Sequence, residues 1–388
     1  MTTIYNQPVV IDNGSGMIKA GFAGDERPKI NYSSILGTPK YTKVMPSSIS
    51  EDDTFIGNKA QNIRGLLKLR YPMSKGIVEN WSDMEQVWNQ VISELDCKAD
   101  EHPLSITEQP LNPRSNRTKM CEVLFDTFNF PALHIAMPAV LSLYSTGRTT
   151  GVVIDSGDGV STAVPVFEGF AIPGSIKRIN LGGRDVTERL QIELMRSGYI
   201  MSSSSEFEIV RSLKERLGFV SEEVGKSRNG LVSSGRSRIS DFLMYDSTAK
   251  VKPFKLPDGK IIKVSESCLS GPCEVLFQPE SLGFEETPIH EALYYAIMKT
   301  DADLRSRLFE NIVLSGGSTL FRNFGTRLLR ELHKLDEQLK LKIYASPDRK
   351  VSCFVGGSIL ASLSTFRNIW VSKASYQEDP YCIHHKFP

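Results

Sequence analysis

No stretch of the 388-residue chain approaches the roughly 18 consecutive apolar residues that cross a bilayer, so no membrane-spanning helix is expected. The opening residues, Met1-Thr2-Thr3-Ile4-Tyr5, lack a basic start followed by an apolar run, and no signal peptide is expected. An excess of charge is also missing. The formal net charge is +1, which argues against bulk electrostatic attraction to nucleic acid or to a membrane surface. Cysteine is sparse. Cys97, Cys121, Cys268, Cys273, Cys353 and Cys382 include one near pair, Cys268 and Cys273, with no His or Cys partners at zinc-ligand spacing. Reduced thiols of an intracellular protein are the reading. What is present suits a globular protein: 40% hydrophobic and 23% charged residues. The length exceeds one ordinary hydrophobic core, so two large lobes are expected.

The most informative feature is an internal echo. Val9-Val10-Ile11 runs into Asp12-Asn13-Gly14-Ser15-Gly16, and Val152-Val153-Ile154 runs into Asp155-Ser156-Gly157-Asp158-Gly159. Each reads as a buried β-branched strand ending in an Asp-x-Gly-x-Gly turn. A returning strand follows each turn, Met17 to Phe22 and Val160 to Phe167. The echo predicts a duplicated fold with two lobes. Helical signals fill the remainder. Asn112-Pro113 is placed to cap and start a helix whose apolar positions include Met120, Val123, Leu124 and Phe128. Ser205 and Glu208 form a capping-box pattern ahead of Ile209, Val210, Leu213 and Leu217. Asn323 is a candidate cap for a helix carrying Phe324, Leu328, Leu329 and Leu332. Strands alternating with helices predict α/β lobes. Residues 40–53 and 221–250 read as loops, the second at least in part a mobile surface excursion in which residues 241–245 are a candidate short docking element.

Three glycine turns suggest phosphate chemistry. Glycine lets backbone amides approach a phosphate closely, and successive amides form an anion-binding concavity. Asp12 and Asp155, each ending a strand, are placed to face each other and hold magnesium through its retained waters. Lys19 on the returning strand is placed to reach phosphate oxygens, and Asp158 the ribose side or the metal shell. A third junction, Ile312-Val313-Leu314 into Ser315-Gly316-Gly317-Ser318-Thr319, offers bare backbone to a base or phosphates. Lys214 and Glu215 are candidates for the adenine and ribose side. Each piece alone has a plain reading: a hairpin turn, a solvated lysine, a loop. Together they point to a two-lobed phosphate-binding fold, with sugar kinases and heat-shock ATPases still open.

Several segments then resemble actin along nearly the whole chain and in order. They include Val10-Ile11-Asp12-Asn13-Gly14-Ser15-Gly16, Lys19-Ala20-Gly21-Phe22-Ala23-Gly24-Asp25, Leu141-Ser142-Leu143-Tyr144, Gly147-Arg148-Thr149-Thr150-Gly151 and Gly356-Gly357-Ser358-Ile359-Leu360-Ala361-Ser362-Leu363. The resemblance implies a two-lobed actin/hexokinase/heat-shock-ATPase-like α/β fold with four subdomains around a central nucleotide cleft. Subdomain one would comprise residues 1–33, 71–145 and 352–388, and subdomain two residues 34–70, with an intersubunit loop at 40–53. Subdomain three would comprise residues 146–181 and 285–351, and subdomain four residues 182–284, including the extended 221–250 loop. Tyr144, Gly147, Thr149, Phe170, Leu360 and Leu363 would line a cleft between subdomains one and three, and Leu282 and Phe284 would make cross-strand filament contacts. Residues 5–12, 66–72 and 202–210 resemble the centractin class of actin-related proteins more than conventional actin. That resemblance implies self-association into the short filament of dynactin, with other dynactin subunits, capping protein and dynein as partners. It implies a cytoplasmic, cytoskeletal location, microtubule-associated or at the cell cortex, centrosome or spindle pole.

Carried over residue by residue, the resemblance implies that ATP or ADP with Mg2+ is held by Asp12, Gly14, Ser15, Gly16 and Lys19 on one side. Asp155, Gly157, Asp158 and Gly159 would close from the other side, and Gly183, Lys214, Glu215, Gly317, Ser318, Phe321 and Lys350 would surround adenosine. Ser318, Leu320 and Phe321 stand where the family has threonine, methionine and tyrosine, which are mild changes. Pro138 and Thr162 are larger departures: they occupy the family's water-positioning sites, where glutamine and histidine are usual. Proline offers no side-chain donor or acceptor, and threonine has no imidazole. Hydrolysis is therefore expected to be slow or absent, with no confident catalytic residue. Competing readings are a sugar kinase, a chromatin-associated actin relative that does not polymerise, and a drifted conventional actin.

Overall fold

The computed structural model describes residues 6–40, 53–222 and 251–387. Most of the 40–53 and 221–250 segments, with residues 241–245, lies outside these. Two sheets organise the chain. In the first, Val9–Asn13 pairs antiparallel with Met17–Phe22, which pairs in turn with Ile30–Ser33. On its other edge Val9–Asn13 runs parallel to Leu104–Thr107, followed by Ala132–Ala136 and the edge strand Val371–Ser372. The second sheet repeats the plan. Gly151–Ser156 pairs antiparallel with Ser161–Phe167 and parallel with Ile312–Ser315, beyond which lies Ile343–Tyr344. The echo in the sequence is therefore a duplication of sheet topology, and the expected two-lobed α/β architecture is the one observed.

The β-branched runs have their physical reason here. Every residue of Val9–Asn13 and of Gly151–Ser156 is buried, as in strands covered on both faces. Helix Trp81–Glu94 buries Met84, Val87, Trp88 and Val91 in the first core. Helices Ile289–Met298 and Phe324–Leu335 bury Leu293, Ile297, Leu328 and Leu332 in the second. Leu282 and Phe284, expected at a filament interface, lie partly buried against that second core. Two smaller units flank the cleft mouth. One is a sheet with Leu36–Pro39 between Phe55–Ile56 and Leu67–Arg70. The other is the hairpin Val251–Lys255 and Ile261–Ser265, packed with Leu190, Leu194, Val210 and Leu213.

The chain crosses between lobes through Pro138–Tyr144 and returns before Ser352–Ser362. These two helices touch backbone to backbone. A Cβ at Gly356 would sit 1.7 Å from the Leu141 carbonyl oxygen, so only glycine permits the approach. A triangle of buried hydroxyls ties the junction together: Ser142 to Ser315 at 2.8 Å, Ser315 to Ser352 at 3.2 Å and Ser352 to Ser142 at 3.3 Å.

Three local expectations are corrected. The capping box is Ser203 with Glu206, opening helix Ser204–Leu217, not Ser205 with Glu208. Glu208 instead turns inward and accepts hydrogen bonds from Gln61 and Tyr71. Asn112 does not cap the helix that begins at Arg114; its amide donates to Gly76 O at 2.8 Å. Asn323 precedes Phe324–Leu335 in the left-handed region, with φ 68°, and makes no side-chain cap.

His134 lies buried between Phe366 and Phe387, and burial lowers its pKa to about 4. His290 stacks on Phe277, and burial likewise lowers it to about 4, helped by the Arg327 and Lys334 charges against the opposing pull of Glu331. The unfolded chain then binds protons that the folded chain refuses. Stability is full above the ordinary histidine value of 6.5 and falls as pH drops toward 4, on the order of 2–3 kcal/mol for each group. Thermal unfolding followed from pH 7.5 to 4.5 is expected to show this decline, steepest below pH 6.5. A flat profile would contradict burial of the two imidazoles.

Candidate nucleotide site

The two Asp-x-Gly-x-Gly turns meet head to head. A Cβ on Gly16 would lie 2.5 Å from Asp158 Cβ, and one on Gly159 would lie 2.9 Å from Ser15 Oγ. Both glycines are therefore required by close approach. Ser15 Oγ accepts from Gly76 N at 2.9 Å, which fixes the first turn against the neighbouring loop. Beneath the turns lies a cavity of about 340 Å³, within the usual range for a small-molecule site.

Every residue expected to hold nucleotide lines this cavity. From the first lobe come Asp12, Gly14, Ser15, Gly16 and Lys19, and from the second turn Asp155, Gly157, Asp158 and Gly159. Gly183, Lys214, Glu215, Gly317, Ser318, Phe321 and Lys350 complete the far wall. Pro138 also stands on the wall, whereas Thr162 does not line the cavity. The Thr162 hydroxyl is buried without a hydrogen-bond partner among the described residues.

Electrostatics divide the cavity into two ends. At one end Lys19 Nζ donates to Asp12 Oδ2 at 2.5 Å, and Thr107 Oγ1 donates to Asp12 Oδ1 at 3.2 Å. Lys19 was expected to reach toward phosphates; in this structure its partner is Asp12, still on the cavity wall. Burial alone would lower the Lys19 pKa, but the Asp12 charge and hydrogen bond outweigh it and raise the value. Burial raises Asp155, and the nearby Asp12 carboxylate adds to this against the opposing pull of Lys19, Ser315 and Gln109. Two buried carboxylates share one ammonium, which leaves a negative excess suited to a divalent cation.

At the other end Lys214 Nζ donates to Gly183 O at 2.6 Å, and Ser318 Oγ donates to Gly157 O at 2.8 Å. Burial lowers the Lys214 pKa. Glu215 faces Arg211 at 3.2 Å and Lys350 at 3.7 Å. Burial would raise its pKa, yet Arg211, Lys350 and Lys214 together hold it below the ordinary carboxylate value.

Motif reading missed several wall residues: Met17, Gln109, Val160, Arg211, Gly218 and Cys353. Arg211 matters most for closure, because its guanidinium leaves helix Ser204–Leu217 and donates to Ser33 Oγ at 3.3 Å and Gly16 O at 3.4 Å. An Arg eight residues after the true capping Ser was the only local sign of it. Arg184, stacked over Tyr71 at 4.0 Å, adds a second link across the mouth.

The donor set fits a metal–polyphosphate. Bare glycine backbone lies against the cavity, with carboxylates at one end and cations at the other. Among the described residues there is no group of three or more His, Cys, Asp or Glu able to hold a metal, so a cation here would rest on two carboxylates, waters and phosphate oxygens. No helix among the described residues is long and apolar enough to cross a membrane.

A clamp of two glycine hairpins over such a cavity defines the class of two-lobed nucleotide-binding folds. Comparison with known proteins narrows it. The family model described as Actin matches residues 4–388. An "Actin-like protein" of Neurospora crassa is 48% identical over 388 residues, covering 99% of each chain. The chain belongs to the actin family.

Replacing Gly16 with Ala drives a methyl group into Asp158 and pries the turns apart. The expected result is at least a tenfold loss of affinity for a fluorescent ATP analogue and about 1–3 kcal/mol of stability in urea unfolding. Unchanged affinity would show that the turns do not clamp the ligand.

Proposed function

We propose that the protein binds ATP or ADP with Mg2+ in this cavity and serves as a filament subunit in which the nucleotide chiefly staples the two lobes together. The observation that carries the reading is the meeting of the Asp12 and Asp155 turns over one cavity lined by every expected binding residue. The metal would be held through waters by Asp12 and Asp155, with Lys19 balancing their charge. The backbone of Gly14–Gly16 and Gly157–Gly159 would receive the phosphates. Gly183, Lys214, Glu215, Gly317, Ser318, Phe321 and Lys350 would enclose adenosine. When bound, the metal would neutralise phosphate charge. We also retain the four-subdomain division proposed from the sequence.

Slow or absent hydrolysis is part of the proposal. Pro138 on the wall has no side-chain donor or acceptor, and Thr162 is absent from the wall. The loss of one positioned proton-transfer or water-orienting group costs about 10²–10⁴ in rate. The finer placement, in the dynactin filament that supports dynein-driven transport along microtubules, is supported by the centractin-like segments at residues 5–12, 66–72 and 202–210. Capping protein, dynein and other dynactin subunits are the proposed partners, and the microtubule-associated cytoskeleton, cell cortex or spindle pole the proposed location.

Two measurements test this. Purified protein is expected to release phosphate from ATP far more slowly than conventional actin; an actin-like steady rate would overturn the staple role and favour a conventional polymerising ATPase. Affinity purification of the tagged chain is expected to bring down dynactin components. Chromatin-remodelling subunits in their place would support the chromatin-associated alternative.

A further inference from the structure

Gln109 lies on the cavity wall at a position that no motif singled out. It packs under the turn that fixes Ser15: a Cβ on Gly76 would stand 2.9 Å from Gln109 Cγ and 3.3 Å from its Cβ. The turn therefore packs against Cβ and Cγ of Gln109 and leaves the amide end to its polar neighbours. The side-chain amide lies beside the Asp155 carboxylate and favours the charged form. An amide N–H turned to a carboxylate leaves Oε1 facing elsewhere. Oε1 is buried and has no partner among the described residues.

The neighbouring polar groups are already committed. Ser315 Oγ is bonded within the hydroxyl triangle, Ser318 Oγ donates to Gly157 O, and Ser15 Oγ accepts from Gly76 N. Pro138 has nothing to offer, and Thr162 is not on the wall. A buried amide oxygen left unpaired costs about 1–3 kcal/mol, and native structures satisfy such atoms with ordered water. Gln109 borders the cavity of about 340 Å³, and a modest turn of its amide opens Oε1 to a water there.

We propose that Gln109 is a positioning residue at the carboxylate end of the cavity: Nε2 orients the Asp155 carboxylate, while Oε1 accepts a hydrogen bond from an ordered water beside it. This rests on the nucleotide reading above. Gln109 takes the part for which Pro138 and Thr162 supply no group, and whatever hydrolysis the protein retains depends on it.

The test combines a structure with kinetics on the full-length protein. Crystals of the wild type with ADP and Mg2+, at a resolution that shows waters, are expected to reveal one within hydrogen-bond distance of Gln109 Oε1. No water there overturns the proposal, whatever the hydrolysis rate. Gln109→Ala is expected to slow single-turnover release of labelled terminal phosphate about tenfold or more. Its dissociation constant for a fluorescent ATP analogue should change less than about threefold, and its unfolding midpoint should stay within a few degrees. Gln109→Asn, one methylene too short to reach Asp155, should behave like the alanine variant. Phosphate release unchanged in both variants contradicts the assignment. Equal losses of binding and of phosphate release would show mere structural support, and also contradict it. Failure of the wild type to bind the analogue would instead sink the underlying nucleotide reading.

Discussion

Everything in this molecule depends on two backbone turns lying too close for side chains. Gly16 backs onto Asp158, and Gly159 onto Ser15. Their contact brings two strand-end carboxylates, drawn from opposite lobes, to one cavity. Those carboxylates are buried with a single ammonium between them, so the site carries an unmet negative charge. Isolated buried charge is costly, and a bound cation with its own anions relieves that cost. The lysines and Arg211 on the far wall supply the complementary end. The same contact therefore shapes the cleft, polarises it and makes the relation between the lobes sensitive to what fills it.

Closure is spread over more than the turns. Arg211 reaches from the second lobe to Gly16 O and Ser33 Oγ. Glu208, buried on the same helix, receives Gln61 and Tyr71 from across the mouth. At the opposite side the serine triangle and the Gly356 contact pin the two crossing helices. Rigid sheets joined at such a narrow junction suit hinge motion, with the cavity between them as the place where a ligand sets the angle.

Much of this was legible in the sequence, for local reasons. A β-branched run followed by Asp-x-Gly-x-Gly announces a buried strand and a tight turn within a few residues. Its recurrence announced the duplicated sheets. The turn glycines and strand-end carboxylates followed from the same pattern. The capping box was misplaced because Ser203 with Glu206 and Ser205 with Glu208 satisfy the same spacing. Tertiary contact decides between them, since Glu208 is claimed by Gln61 and Tyr71. Asn112 was read as a cap because local spacing allowed it, but its side chain also accepts from Arg178 at 2.6 Å, a partner 66 residues away. Arg211 and Gln109 were invisible for the same reason. Their roles come from groups far along the chain, such as Gly16, 195 residues from Arg211, and no short window holds both.

The most direct test is a high-resolution density map of the protein prepared with ATP and Mg2+. The account predicts phosphate density cradled between the backbone of Gly14–Gly16 and Gly157–Gly159, with a hydrated cation between Asp12 and Asp155. A map in which those carboxylates lie far apart, with no phosphate between the turns, would contradict it.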